Sequence, residues 1–234
     1  MNDQNVRPDF DHYAARYRDL HNASITASGE ESEYFAQYKA DVAMRELGPA
    51  ALAAIKVLDF GTGIGGSIAP LRRVLPNADL HGADISSESV AMAEDRHGNH
   101  ASFAVISNNL LPYPDASFDL VFVACVYHHI PVDQREHWTA EIRRVLRPGG
   151  HLLVFEHNML NPLTRKVVRD CEFDKDAILL PRRELLGLVA QQPFQAIKAQ
   201  YIVFFPKILS FLRPAEGSLG WLPLGAQYYV HARV

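Results

Sequence analysis

A short apolar segment that ends in a cluster of glycines constrains the fold more than any other feature. It reads VLDFGTGIGGS, residues 57–67, and the amphipathic segment SIAPLRRVLP continues from its last residue. This order predicts a buried strand that turns sharply into a helix. Glycine allows the positive φ angles of a tight turn and lets a ligand approach the backbone closely. A glycine-rich turn that binds nothing is the alternative interpretation.

The segments after this turn alternate between strand-like and helix-like patterns. In FDLVFVACV, residues 118–126, every residue after Asp119 is apolar, which is typical of a strand buried on both faces. The alternation predicts an α/β fold, in which a mostly parallel sheet has helices on both faces. The last two strands, 196–205 and 226–234, are expected to be antiparallel neighbours because no crossover helix is visible between them. The other strands are predicted at 55–60, 78–85, 101–107 and 151–156.

The first 54 residues differ from the rest because their aromatic residues recur at helical spacing. A helix is predicted over YFAQYKADVAMREL, with Ser32 as its cap. We therefore predict an N-terminal helical lid over 1–54 and one domain over 55–234. Residues 157–181 and 206–225 are expected to be insertions on the substrate side of that domain.

Composition excludes several classes of protein. A net charge of −4 without a basic tract disfavours nucleic acid as a partner. The two cysteines, Cys125 and Cys171, are too far apart in sequence for a metal or redox pair, which suits a reducing compartment. The N-terminus is polar, and no apolar run reaches the roughly 20 residues of a membrane span. We expect a cytoplasmic protein without a metal site or membrane span, and its oligomeric state is left open.

Two acidic residues narrow the choice of ligand. Asp59 lies two residues before the first glycine, where it suits a cationic group such as an α-ammonium and would repel a pyrophosphate. Asp84 ends the second predicted strand, where a carboxylate can accept both hydroxyls of a ribose. Capping of the next helix is the alternative for Asp84, although Ser86 and Ser87 can also cap it.

Taken together, these segments resemble the class I S-adenosylmethionine-dependent methyltransferases of the small-molecule type. The resemblance is carried by VLDFGTGIGGS, GADIS, NLLPYPDASFDLVFVACVYHHI and EIRRVLRPGGHLLVFE, which span about residues 55 to 157 in the family's order. It implies a Rossmann-like sheet of seven strands, six parallel and the last antiparallel. The glycine pattern alone also suits a dinucleotide-binding fold.

The resemblance implies S-adenosylmethionine as the cofactor and assigns residues to it. Asp59 and the glycine loop would hold the methionine end, Asp84 the ribose, and Ile85 and Leu110 the adenine. An acid often follows the third strand in relatives, but this chain has Ser107, Asn108 and Asn109 there. Cys125 would offer its backbone carbonyl to the methionine amine. The complete set is Asp59, Gly61, Thr62, Gly63, Gly65, Asp84, Ile85, Ser107, Asn108, Asn109, Leu110 and Cys125.

Candidates for chemistry follow the fourth and fifth strands. His128, His129 and His157 are candidate bases, because methyl transfer to an alcohol requires removal of a proton. For the histidines after the fourth strand, shaping of the loop is the alternative. The candidates for binding the acceptor are Tyr17, His21, Glu156, Asn158 and Arg165.

The expected function is methyl transfer to an oxygen or nitrogen of a small molecule. An inactive protein that binds the cofactor and serves as a scaffold is the first alternative. A short-chain dehydrogenase is the second, and it is disfavoured because no tyrosine begins a Tyr-x-x-x-Lys motif.

Overall fold

A single seven-stranded sheet forms the centre of the molecule. The computed structural model describes residues 29–171 and 177–234. Its strands are β1 (Lys56–Phe60), β2 (Asp79–Asp84), β3 (Ser102–Val105), β4 (Phe118–Ala124), β5 (Leu146–His157), β6 (Gln195–Ile202) and β7 (Gln227–Arg233). They lie in the order β3-β2-β1-β4-β5-β7-β6, and β7 runs antiparallel to both of its neighbours. The predicted α/β sheet, with six parallel strands and an antiparallel last strand, is confirmed.

Six helices cover the two faces of this sheet in the part of the chain that the structure describes. They are α1 (Ser32–Leu47), α2 (Ile68–Val74), α3 (Ser87–His97), α4 (Arg135–Val145), α5 (Pro162–Asp170) and α6 (Arg182–Ala190). The prediction that Ser32 caps α1 is wrong, because Ser32 is the first helical residue and Glu31 occupies the cap position. The predicted cap of α3 is confirmed, since the Ser86 side chain accepts a hydrogen bond from Ser89 N at 3.0 Å.

The apolar character of β4 follows from its place between two separate cores. Val121 and Val123 join the core under α4 and α6, whereas Leu120 and Phe122 join the core under α1 and α2. Alternate residues of a strand point to opposite faces, so a strand covered on both sides is apolar along its covered length. The continuous apolar run at 120–124, which follows Asp119, thus marks a central strand.

The carboxyl ends of β1, β2, β4 and β5 lie together along one margin of the sheet, which we call the carboxyl edge. The opposite margin is the amino edge. Chain order reverses direction between β1 and β4, and ligands of open α/β sheets bind at such a point, outside the carboxyl ends of the strands. This places the glycine loop after β1, the two histidines after β4 and His157 at the end of β5 on one margin.

The predicted lid is described only from residue 29 onward. Tyr17 and His21 lie outside the described residues, so a lid over residues 1–54 remains a prediction. The predicted insertion at 157–181 contains α5, and the one at 206–225 contains the 3-10 segment Lys207–Ser218. No described helix is long and apolar enough to cross a membrane.

Candidate functional site

The glycine loop has a separate reason for each of its predicted glycines. Gly61, Gly63 and Gly65 have φ angles of 71°, 52° and 81°, a region that favours glycine. A Cβ atom on Gly61 would lie 2.5 Å from Val126 Cγ2, and one on Gly65 would lie 2.6 Å from His97 Cδ2. A Cβ atom on Gly63 would meet nothing within 4 Å. Packing therefore accounts for Gly61 and Gly65, whereas Gly63 borders open space.

Asp59 is a buried acidic residue that pairs with no cationic side chain among the described residues. It is 1% exposed, and its Oδ2 accepts a hydrogen bond from the Thr62 hydroxyl at 2.8 Å. Burial raises the pKa of Asp59 to about 7, and the charge of Asp84 adds to this, although the Thr62 hydrogen bond opposes it. Within residues 29–171 and 177–234, no cationic side chain forms an ion pair with Asp59. A bound cation would stabilise the carboxylate form.

Asp84 links the glycine loop to the end of β2. Its Oδ2 accepts from Gly63 N at 2.8 Å, and its Oδ1 accepts from Ser86 N at 2.9 Å. The second bond joins Asp84 to Ser86, which is the residue that caps α3. Asp84 is only half-buried and remains accessible from the carboxyl edge.

The residues predicted to surround an adenine form an exposed border beside Asp84. Ile85 is 38% exposed and Leu110 is 52% exposed, so two large apolar side chains face solvent at this edge. Asn108 and Asn109 both have a φ of 55°, and an isolated bridge between Ser107 and Leu110 closes their turn. Positive φ angles at two consecutive non-glycine residues store strain, which is typical of functional loops.

Cys125 follows β4 in another strained conformation. Its φ is 60°, and its backbone N–H donates to Phe155 O at 2.8 Å. Gln227, the first residue of β7, places Nε2 at 3.9 Å from Cys125 Sγ. Gln227 lies outside the set predicted from the sequence, because only the pairing of β7 with β5 brings it to this edge.

Glu156 holds the segment that carries the two histidines after β4. Its side chain is 0% exposed, its Oε1 accepts from Tyr127 N at 2.8 Å, and its Oε2 lies 2.6 Å from His128 Nδ1. Burial by itself would raise the pKa of Glu156, but the charge and hydrogen bond of His128, together with the neighbouring histidine charges, lower it. The carboxylate therefore favours the His128 tautomer or cation that has a proton on Nδ1.

The three predicted histidines lie together around this carboxylate. The ring centroid of His128 is 4.1 Å from that of His129 and 5.1 Å from that of His157. His128 is 2% exposed, whereas His129 and His157 are half-buried. The catalytic role of these residues remains a prediction, and so does acceptor binding by Glu156.

The two remaining candidates for acceptor binding, Asn158 and Arg165, differ in burial and in hydrogen bonding. Asn158 is 2% exposed, and its Nδ2 donates to Pro223 O at 3.1 Å and to Gly225 O at 2.7 Å. Both amide hydrogens thus tie the end of β5 to the turn before β7. Arg165 is exposed on α5, with its side chain available to solvent. Acceptor binding by these two residues remains a prediction.

The described residues fit the cofactor that the resemblance implies. Asp59, which is buried, lies beside a loop with open space at Gly63. Asp84 and the exposed side chains of Ile85 and Leu110 lie farther along the same edge. These features match an ammonium, a ribose and an adenine in that order. In the part of the chain described here, no three His, Cys, Asp or Glu residues are grouped as metal ligands.

Comparison with known proteins adds family and fold relationships. A methyltransferase-domain family matches residues 57–150. The chain is 35% identical over 111 residues to a demethylmenaquinone methyltransferase from Thermotoga maritima, covering 47% of this chain and 46% of that protein. It is 26% identical over 193 residues to ajmaline N-methyltransferase from Rauvolfia serpentina, covering 76% of this chain and 62% of the relative. The chain therefore spans about half the length of the first of these curated relatives.

A solved structure extends the fold match over nearly the whole chain. It is a methyltransferase from Thermotoga maritima, described as S-adenosylmethionine-dependent and as a possible histamine N-methyltransferase. The TM-score is 0.67 at 20% identity, with 96% of this chain and 97% of the other covered. At this identity the likeness establishes the fold.

Proposed function

We propose that this chain is a class I S-adenosylmethionine-dependent methyltransferase and that it transfers a methyl group from S-adenosylmethionine to an oxygen or nitrogen of a small molecule. The observation that carries the proposal is Asp59. Its buried carboxylate, with a pKa raised to about 7, lies beside the glycine loop without a cation among the described residues. The two relatives above bear the names of small-molecule acceptors, which supports an acceptor of that size.

The residues of the carboxyl edge would hold the cofactor by complementary charge and shape. Asp59 would pair with the α-ammonium, and the Asp84 carboxylate would accept hydrogen bonds from the ribose hydroxyls. Ile85 and Leu110, both partly exposed, would cover the adenine ring. The bound cofactor would supply a methyl group activated by the positive charge on sulfur. The protein's task is then to hold the nucleophile in line with that methyl and to exclude water.

His128, His129 and His157 would act on the acceptor. With Nδ1 of His128 protonated, this N–H would donate a hydrogen bond to Glu156 Oε2. Nε2 of the neutral ring would then be the basic nitrogen. Burial of His128 makes it suited to fixing the cluster, whereas the more exposed His129 and His157 can reach an acceptor. An amine or alcohol acceptor loses one proton on methylation, and a neutral imidazole can accept it.

Calorimetric titration with S-adenosylmethionine, S-adenosylhomocysteine and NAD separates this function from its alternatives. Binding of the two sulfur compounds without NAD is the expected result. Tight NAD binding would instead favour the dehydrogenase. The family match disfavours the dehydrogenase, because residues 57–150 align with methyltransferase domains.

Turnover is tested with methyl-labelled S-adenosylmethionine and a panel of small amines, alcohols, phenols and carboxylic acids. Release of S-adenosylhomocysteine together with a labelled product is expected, and mass spectrometry then locates the methyl on oxygen, nitrogen or carbon. Cofactor binding without any labelled product across a broad panel would favour the scaffold alternative.

A further inference from the structure

Gln227, the first residue of β7, carries a buried amide oxygen without a hydrogen-bond donor in the described part of the chain. Gln227 is 7% exposed, and its Oε1 accepts no hydrogen bond from any described residue. Two buried histidine nitrogens also lack a hydrogen bond, but each lies near a carboxylate. His81 Nε2 is 3.2 Å from Asp79 Oδ2. His231 Nδ1 is 3.2 Å from Glu46 Oε2. Because an unsatisfied buried oxygen is costly to the fold, its retention points to a donor that arrives with a ligand.

Strand pairing places this oxygen at the carboxyl edge. Gln227 pairs with His157 at the end of β5. Tyr229, two residues further along β7, belongs to the core under α1 and α2, so Gln227 points to the same side of the sheet. Asp59 also points to that side, because Val57 of β1 belongs to the same core. The amide of Gln227 and the carboxylate of Asp59 therefore lie at one edge and on one side of the sheet.

The distance between Gln227 and Asp59 assigns them to different parts of the site. Three strand steps separate them, since the order is β1-β4-β5-β7. Neighbouring strands lie about 4.8 Å apart, which puts the two Cα atoms roughly 14 Å apart. Gln227 Nε2 lies 3.9 Å from Cys125 Sγ, so the amide extends toward the end of β4. An ammonium held by Asp59 lies beyond β4, and the amide oxygen faces the part of the site that is left for the acceptor.

His157 is the candidate base that lies directly opposite Gln227. Residues paired across antiparallel strands project to the same side, with Cβ atoms about 4.5–5.5 Å apart. His157 is half-buried, and its ring centroid is 5.1 Å from that of His128. An oxygen that can accept a hydrogen bond and an imidazole that can accept a proton thus lie side by side.

We propose that Gln227 Oε1 accepts a hydrogen bond from the methyl acceptor, and that this acceptor is a primary or secondary amine. The proposal rests on the proposed function, and it narrows the acceptor atom from oxygen or nitrogen to nitrogen. A primary or secondary amine arrives as an ammonium with at least two hydrogens, so it can donate to Gln227 and to His157 together. An alcohol or a tertiary ammonium has a single hydrogen and can serve one of them.

Protons and electrons balance in the resulting transfer. The ammonium of the acceptor gives one proton to His157 and keeps an N–H on Gln227 Oε1. The freed lone pair on nitrogen forms the bond to the methyl carbon as the S–C bond breaks, and the electron pair of that bond stays on sulfur. The products are the methylated ammonium, S-adenosylhomocysteine and a protonated His157.

Turnover with methyl-labelled S-adenosylmethionine tests the acceptor class. Wild type, Gln227→Leu, Gln227→Glu and the control Gln200→Leu are assayed with 2-phenylethylamine and dodecylamine, and with the matched alcohols 2-phenylethanol and dodecanol. The amines should be methylated in preference to the alcohols. Gln227→Leu should lower kcat/KM for the amine about 10- to 100-fold and leave the KM for S-adenosylmethionine unchanged. Gln227→Glu should retain activity, because a carboxylate also accepts a hydrogen bond from an ammonium.

Three outcomes of this assay overturn the proposal. They are preferred methylation of the alcohols, a Gln227→Leu protein as active on the amine as wild type, and an equal loss in Gln227→Glu and Gln227→Leu. The last would mean that the ligand offers an acceptor to the amide nitrogen.

Calorimetry with S-adenosylhomocysteine separates the acceptor from the cofactor as the bound group. Gln227→Leu should bind this compound as wild type does. An affinity 10-fold below that of wild type would assign the amide to the cofactor and overturn the proposal. Failure of wild type to bind S-adenosylhomocysteine contradicts the proposed function itself.

The proteins without ligand give a readout that needs no acceptor, and it decides the role of Gln227 where no amine of the panel is methylated. Leucine has a similar volume and removes the unpaired oxygen, so the thermal midpoint of Gln227→Leu should rise above that of wild type. The control differs because Gln200 Oε1 accepts from the Tyr229 hydroxyl at 3.0 Å, and Gln200→Leu should lower the midpoint. A lowered midpoint for Gln227→Leu would mean that the amide already stabilises the fold, and it would overturn the assignment of Gln227 to a ligand.

Discussion

Replacement of Asp59 by asparagine should stabilise the ligand-free protein and at the same time weaken cofactor binding. The pKa of Asp59 rises from an ordinary 3.8 to about 7, so the folded state binds this proton more tightly than the unfolded state. Wild-type stability should therefore fall as pH rises from about 4 to 7, and level off above that. A shift of roughly three units corresponds to about 4 kcal/mol as an upper bound.

Urea unfolding of wild type, Asp59→Asn and the control Asp133→Asn tests this reasoning between about pH 5 and pH 8. The difference between wild type and Asp59→Asn cancels the contributions of the histidines. Asp59→Asn should gain stability relative to wild type as pH rises, by up to about 1.4 kcal/mol per unit below pH 7. Asp133 is exposed in the segment before α4, and its replacement should leave this slope unchanged.

The same variant should show the opposite effect on ligand affinity. Wild-type affinity for S-adenosylhomocysteine should increase up to about tenfold per pH unit until pH 7, because the ammonium pairs with the ionised carboxylate. Asp59→Asn should lose this dependence. 5′-Methylthioadenosine lacks the amino-acid group and should bind both proteins alike. An Asp59→Asn protein that is less stable at pH 8 and binds S-adenosylhomocysteine as wild type does would refute the account.

Three further substitutions test other parts of the site. Asp84→Asn should weaken S-adenosylhomocysteine about 10- to 100-fold by calorimetry, since hydrogen bonds to a charged group are lost; unchanged affinity would remove Asp84 from the ribose site. Gly61→Ala should lower the free energy of unfolding by about 1–3 kcal/mol in urea, because the added methyl overpacks against Val126. Gly63→Ala should lower it less and should mainly reduce the affinity for S-adenosylhomocysteine. A larger loss of stability for Gly63→Ala than for Gly61→Ala would contradict the loop geometry. Asn158→Ala should cost about 1–3 kcal/mol of stability and spare cofactor affinity, because its amide hydrogens bind backbone carbonyls; a stability equal to that of wild type would contradict the bracing role.

Local patterns were sufficient to predict most of the fold. The apolar run at 120–124 identified a central strand because both faces of β4 are covered. The glycines at 61, 63 and 65 marked the turn into α2, because the positive φ angles of a tight turn favour glycine. The start of β5 was predicted at His151 but lies at Leu146, because Leu146 pairs with Phe118 of β4 across a register shift that contains Pro148 and two glycines. Long-range pairing has no signature in the segment itself.

The cofactor side of the site was more predictable than the acceptor side. Asp59 is the residue before the last of β1 and Asp84 is the last residue of β2, and the parallel pairing of these two consecutive strands brings both to the carboxyl edge. The bond between His128 and Glu156 joins residues 28 positions apart in sequence, and the bonds of Asn158 reach residues 65 and 67 positions away.

A crystal structure of the protein with S-adenosylhomocysteine tests the central claim most directly. The account predicts that the α-ammonium lies within about 3 Å of an Asp59 carboxylate oxygen and that both ribose hydroxyls contact Asp84. The adenine should lie against Ile85 and Leu110. A ligand bound away from the carboxyl edge, or one whose ammonium points away from Asp59, would contradict it.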